Sequence, residues 1–183
     1  MPPPSDRYVE VARLFRDTAG PDAATFAPAT VDDLTAAQDA LGVRFPDSYG
    51  WFQLEFGDVR RGPLEIYTVR PSEPPHLNIV GINVDERRDA RPRLPAHLIA
   101  FSDSGGGDLC CFDTSAFRDG ECPVVWWDHE LDEDQSPEPA APTFLDWIES
   151  ELRERAAEEP GSLLDSLGHV HRAWLSEWFK KKS

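Results

Sequence analysis

From residue 98 onward the apolar positions come in short runs: Leu98 to Phe101, Leu109 to Phe112, and Val124 to Trp127 behind Pro123. Each run is rich in β-branched, aromatic or cysteine side chains and is bounded by Gly, Asp, Ser or Pro, which predicts strands joined by turns. The three together predict a meander over Leu98 to Glu130 that places Phe101, Phe112 and Val125 in one sheet. Gly105-Gly106-Gly107 supplies the backbone freedom that its first reversal needs. Neighbouring strand residues face opposite ways, so Cys110 and Cys111 diverge, as do Trp126 and Trp127. Apolar groups at successive positions then imply that both faces of the sheet are covered, and helices are the expected cover.

Elsewhere the spacing is helical. Ser5 can cap a helix running to about Thr18, with Tyr8, Val11, Ala12, Leu14 and Phe15 on one stripe before Gly20-Pro21 stops it. Thr30 with Asp33 forms a short capping box for a helix over Val31 to Leu41, which Gly42 terminates. Phe45-Pro46-Asp47 starts a third helix, Ser48 to Phe56, whose aromatic residues occupy most of its circumference. Leu64 to Val69 alternates in part and predicts a strand. Asn78 to Arg88 carries four β-branched residues, but its charged tail and its place between two proline-containing turns favour a helix. Glu130 to Pro142 reads as an acidic, proline-bearing loop. Thr143 caps a helix from Phe144 to about Glu158, and Ser162 caps a last one carrying Leu163, Leu167, Val170, Trp174 and Trp178.

Charge and composition narrow the function classes. The chain has 183 residues and a formal net charge of −16. A surface so acidic, with no long basic tract, is unsuited to phosphate contacts with nucleic acid but suits a basic protein. No run approaches the roughly 18 apolar residues of a membrane span, and the N-terminus lacks the pattern of a signal peptide, so a cytoplasmic protein is expected. Three cysteines, two adjacent, make a poor disulfide framework and predict buried reduced thiols.

In order, the capped helix, Leu41-Gly42-Val43-Arg44-Phe45-Pro46-Asp47-Ser48-Tyr49, the aromatic helix ending in Gly57, Leu94-Pro95, Ile99 to Asp103, Gly107-Asp108, Cys111-Phe112-Asp113, Val124 to Glu130 and Thr143-Phe144 resemble the SUKH superfamily. That group includes the yeast cell-wall assembly regulator and many bacterial immunity proteins. The resemblance runs from about residue 30 to 155 of what reads as a single domain over 1–183, with helical extensions at 1–20 and 161–182. It implies an α+β fold, a mixed or mostly antiparallel sheet with helices packed on it. It also implies a non-enzymatic immunity protein that occludes a cognate toxin, a basic nuclease or deaminase, or alternatively a regulatory scaffold binding a cellular protein.

The chemistry-bearing residues agree with a binding role. Gly105-Gly106-Gly107 precedes a strand and lacks the Lys-Ser/Thr end of a phosphate loop. Ser102 and Ser104 have no nucleophile-elbow context. His169 and His171 are two residues apart, the wrong spacing for one ion on a helix. Asp128-His129-Glu130 with Asp132 and Asp134 is the best acid and imidazole group, but its spacing fits no recognised metal motif, so neither a metal nor another cofactor is expected. The partner-binding residues expected are Asp103, Asp108, Asp113, Asp128 and Glu130, gathered at one side of the sheet. Trp126 or Trp127, whichever faces outward, would be the aromatic anchor, and Trp127 is taken as that residue.

Overall fold

The computed structural model describes residues 6–19, 27–57, 59 and 64–157. Its elements follow in the order α1 (Asp6–Ala19), α2 (Val31–Leu41), α3 (Asp47–Glu55), α4 (Ile79–Arg88), β1 (Leu98–Asp103), β2 (Leu109–Asp113), β3 (Val124–Trp127), β4 (Glu138–Ala141) and α5 (Phe144–Ala157). The fold is α+β, and the sheet is antiparallel throughout with strand order β1-β2-β3-β4. Ser5 and the helix expected from Ser162 lie outside the described residues.

Local sequence accounts for the helix starts. Thr30 Oγ1 accepts from Asp33 N at 3.1 Å while Asp33 accepts from Thr30 N at 2.9 Å, a reciprocal cap that satisfies two donors the helix cannot. Gly42 ends α2 at φ +68°, where a side chain would be strained. Thr143 repeats the device on α5, accepting from Asp146 N. At α3 the N-cap is Pro46, which has no side chain to offer, and distant groups serve instead: Glu121 accepts from Ser48 N and Oγ, and Asp47 N donates to Gly120 O.

One face of the sheet carries an aromatic cluster. Phe101 and Phe112 stack at 4.1 Å, with Tyr49 and Phe52 from α3 and Phe144 and Trp147 from α5 completing it, mostly edge to face. Such pairs contribute about 0.5–1.5 kcal/mol each beyond the area they bury. Outside them, α1 packs on α5, and Arg7 bridges to Asp146 and Glu149. On the other side α4 lies beside β1, with Glu86 and Arg87 near the Cys111 thiol.

Two expected elements differ. Leu64 to Val69 is buried almost throughout but forms only isolated bridges, Val59 to Ile66 and Thr68 to Asn78. Its groups are divided among many partners: Tyr67 N donates to Phe101 O, Tyr67 O accepts from Tyr49 Oη and Gln53 Nε2, and Glu65 O accepts from Ser102 Oγ. Among the described residues no single ladder forms, and Leu64 to Val69 is not a strand. Conversely, part of the supposed loop between Glu130 and Pro142 is β4, paired to β3 through Val124 to Ala141 and Val125 to Pro139 with a bulge between. Proline is tolerated there because β4 is an edge strand.

The free edge of β1 is closed by side chains. Asn83, fully buried on α4, donates to Ala100 O at 2.8 Å and accepts from Ala100 N at 2.9 Å, standing in for a neighbouring strand. Arg87 Nη2 reaches Leu98 O at 3.2 Å. Asn83→Ala removes both partners of Ala100, and each stranded buried group costs about 1–3 kcal/mol. Urea unfolding should therefore show a loss on the order of 3 kcal/mol with an unchanged m-value, whereas a change below about 0.5 kcal/mol would show that the clasp contributes nothing.

Candidate functional site

The polar end of the sheet follows from strand direction. In an antiparallel meander the end of β1, the start of β2 and the end of β3 lie together, so Asp103, Asp108, Asp128 and Glu130 share one rim. Asp113 does not join them. It ends β2, pairs with Leu98 and lies at the opposite end, where its carboxylate accepts from Ser115 N at 3.0 Å and from Ser115 Oγ. A chain that reverses at each turn puts the ends of successive strands on opposite sides, which corrects the expectation of one five-residue patch.

The tryptophan assignment is also corrected. Trp127 is 2% exposed and belongs to the core, while Trp126 is the half-buried member of the pair. Trp126 faces the same side as its cross-strand neighbour Cys110, whose thiol lies toward Glu151 of α5.

Within the rim each carboxylate has work in the turns. Asp103 accepts from Gly105 N at 2.7 Å and from Tyr67 Oη at 2.7 Å, pinning the hairpin to the buried 64–69 segment. Gly105 and Gly107 take φ +72° and +108° in the reversal. Asp108 accepts from His129 N at 3.2 Å, and its Oδ1 lies 2.8 Å from His129 Nδ1. Asp128 accepts from Glu130 N at 2.7 Å, while Gln135 folds back on the Asp128 backbone, donating to its carbonyl at 2.7 Å. The missing Cβ of Gly107 leaves room for the imidazole: one built there would stand 2.8 Å from His129 Cε1.

Asp108, Asp128 and His129 thereby come together, each offering a donor atom within 4.8 Å of the others. Of the group read along the chain, Asp128-His129-Glu130 with Asp132 and Asp134, the fold brings together Asp128 and His129 and adds Asp108. The signal for Asp108 was the strand register, since Leu109 and Trp127 are the last pair of the ladder and Asp108 and Asp128 are the residues just beyond them. Beside this group a shallow open depression of about 370 Å³ lies between Arg91-Pro92 and the 129–133 loop, with Leu131 exposed on it.

The two serine hydroxyls are engaged with the backbone. Ser102 is 2% exposed with its hydroxyl on Glu65 O, and Ser104 Oγ accepts from Gly106 N. All three cysteines are buried and free, and burial pushes the Cys122 thiol up to about 12. Charge is the dominant property of the region: from Asp119 to Leu152 the chain carries eleven carboxylates and no lysine or arginine.

The family comparison matches residues 11–153 to a family described as SUKH_5, SMI1-KNR4 cell-wall. A solved structure, described as a crystal structure of a protein from Pseudomonas syringae pv. tomato, has the same fold with a TM-score of 0.59 and 20% identity. The similarity covers 77% of this chain and 95% of that one. No curated protein matches the sequence. Among the described residues no helix is long and apolar enough to cross a membrane.

The hydrogen bond with Asp108 holds the His129 pKa above its ordinary value, outweighing the opposing effect of burial, and the charges of Asp108, Glu130 and Asp128 add to it. A pKa raised on folding gives stability that is complete below the unfolded value of about 6.5 and is lost as pH rises through the folded value. NMR titration of the ring should give a midpoint above 6.5, and Asp108→Asn should lower it. A midpoint indifferent to that substitution would show the pair to be absent in solution.

Proposed function

The chain belongs to the SMI1-KNR4 cell-wall (SUKH_5) family, and on that premise we propose that it is an immunity protein that binds and occludes a cognate bacterial toxin. The partner is a basic protein that acts on nucleic acid, a nuclease or deaminase, and the complex forms in the cytoplasm. Supporting this reading above all is the acidity of residues 119–152, eleven carboxylates with no lysine or arginine among them. A toxin that grips a polyanion presents the opposite charge, and complementary fields raise encounter rates to the order of 10⁸ M⁻¹s⁻¹ at low salt.

Asp103, Asp108, Asp128 and Glu130 form the proposed contact rim at the end of the sheet, with Trp126 in place of Trp127 as the aromatic group within reach of a partner. Asp113, at the far end of β2, is outside it. Occlusion asks no chemistry of this protein: acidic groups meet the cations the toxin uses on its substrate, and the rigid sheet end keeps them in place. The family's cell-wall description supports a second reading, a regulatory scaffold for a cellular protein; a gene neighbourhood encoding a toxin favours the first.

Co-expression with a toxin encoded beside its gene should restore growth, and the two should purify together in a fixed ratio. Reversing charge with Glu130→Lys and Asp132→Lys, both on the exposed loop, should slow association about tenfold at low salt and flatten its salt dependence while leaving the thermal melt unchanged. Unaltered association kinetics would remove this loop from the interface.

A further inference from the structure

We propose that Asp108, Asp128 and His129 form a binding site for a divalent transition-metal ion, Zn²⁺ foremost. The inference is independent of whether the partner is a toxin. It begins with the register: Leu109 and Trp127 are the last pair of the ladder, and the residues just beyond them, Asp108 and Asp128, have carboxylate oxygens within 4.8 Å of each other. Carboxylates this close repel each other, and here they do so in a chain that already carries −16. His129 is the one basic group in the set, and even a protonated ring carries one charge against two carboxylates. A dication held by all three neutralises them.

The donors fit such an ion in type and position. One imidazole nitrogen and two carboxylate oxygens lie within 4.8 Å of one another. A nitrogen donor favours zinc, copper, nickel or cobalt over calcium and magnesium, which prefer all-oxygen shells. Tetrahedral zinc with bonds of about 2.0–2.2 Å sets its donors roughly 3.4 Å apart. The 2.8 Å contact of Asp108 Oδ1 with His129 Nδ1 therefore has to open by about half an ångström. The Nδ1 proton held against Asp108 leaves as the ion binds, to solvent from the imidazolium or to Nε2 in the neutral ring, and the Nδ1 lone pair is then available to the ion.

The ligands are also held in advance. Asp128 accepts from Glu130 N, His129 N donates to Asp108, and the imidazole lies against Gly107, where a Cβ would displace it. All three side chains are half-buried or exposed, so the ion has a path from solvent and a fourth position is left for water. The acidic stretch that follows, Glu130 to Asp134, supplies none of the donors.

Calorimetric titration of the full chain with ZnCl₂ should show one site per molecule. His129→Ala and Asp108→Asn should each weaken binding at least tenfold, in the range that loss of one ligand or its support gives. Gly107→Ala, which displaces the ring and keeps every ligand, should weaken it as well. Asp132→Asn with Asp134→Asn should bind as the parent does. All variants are to be compared by thermal melt, so that loss of a ligand is separated from loss of fold. Co²⁺ in place of Zn²⁺ should give the visible absorption of a tetrahedral centre that excess Ca²⁺ leaves intact. Absence of stoichiometric Zn²⁺ uptake, undiminished affinity in His129→Ala, or displacement of Co²⁺ by Ca²⁺ would each overturn the assignment.

Discussion

A strand that is buried on both faces and also lies at the edge of its sheet must find partners for the backbone groups that point away from its neighbour. Water cannot reach them, and each one left alone costs about 1–3 kcal/mol. β1 is such a strand: Leu98 to Phe101 are fully buried and, among the described residues, nothing pairs with its outer side as a strand. Asn83, Arg87 and Tyr67 N take the place of that missing strand. The position of α4 follows, because Asn83 must stand level with Ala100. So does the irregular course of residues 64–69, which has to serve β1 on one side and Tyr49 and Gln53 of α3 on another.

With that edge closed, the sheet is asymmetric. β1 and β2 are sealed between α3 and α5 on one face and α4 on the other, whereas β4 is short, largely exposed and carries a proline. On the sealed side polar groups such as Asn83 and Ser102 are tied to backbone, and carboxylates concentrate at the rim and along the β3–β4 connection. The rim acids are not merely displaced there: Asp103, Asp108 and Asp128 shape the turns that hold them. The same residues that make this end of the sheet rigid also make it strongly negative, and a rigid charged surface loses little entropy when a partner arrives.

What was legible in the sequence was what is decided locally. The Thr30 and Asp33 cap, the Gly42 stop, the meander and the helix over Asn78 to Arg88 all depend on residues a few positions apart. β4 was not legible, because Glu138-Pro139-Ala140-Ala141 has no strand propensity and becomes extended only by pairing with β3. Leu64 to Val69 failed in the other direction: its apolar character reported burial, and burial alone does not supply a ladder. Which of Trp126 and Trp127 faces outward depends on how the strand sits against the core, and a run of four apolar residues carries no phase. Asp113 was readable in principle, since its strand ends opposite the one before it. The partnership of Asp108 with His129 required the register, which no stretch of sequence contains on its own.

The divergence of Cys110 and Cys111 has one more consequence. Burial pushes both thiols up, so neither reacts while the fold is closed. Cys110 lies toward Glu151 on α5, and Cys111 toward Glu86 and Arg87 on α4. Two adjacent residues thus guard separate seams, and a thiol reagent becomes a pair of clocks, one timing departure of the α5 layer and the other that of α4.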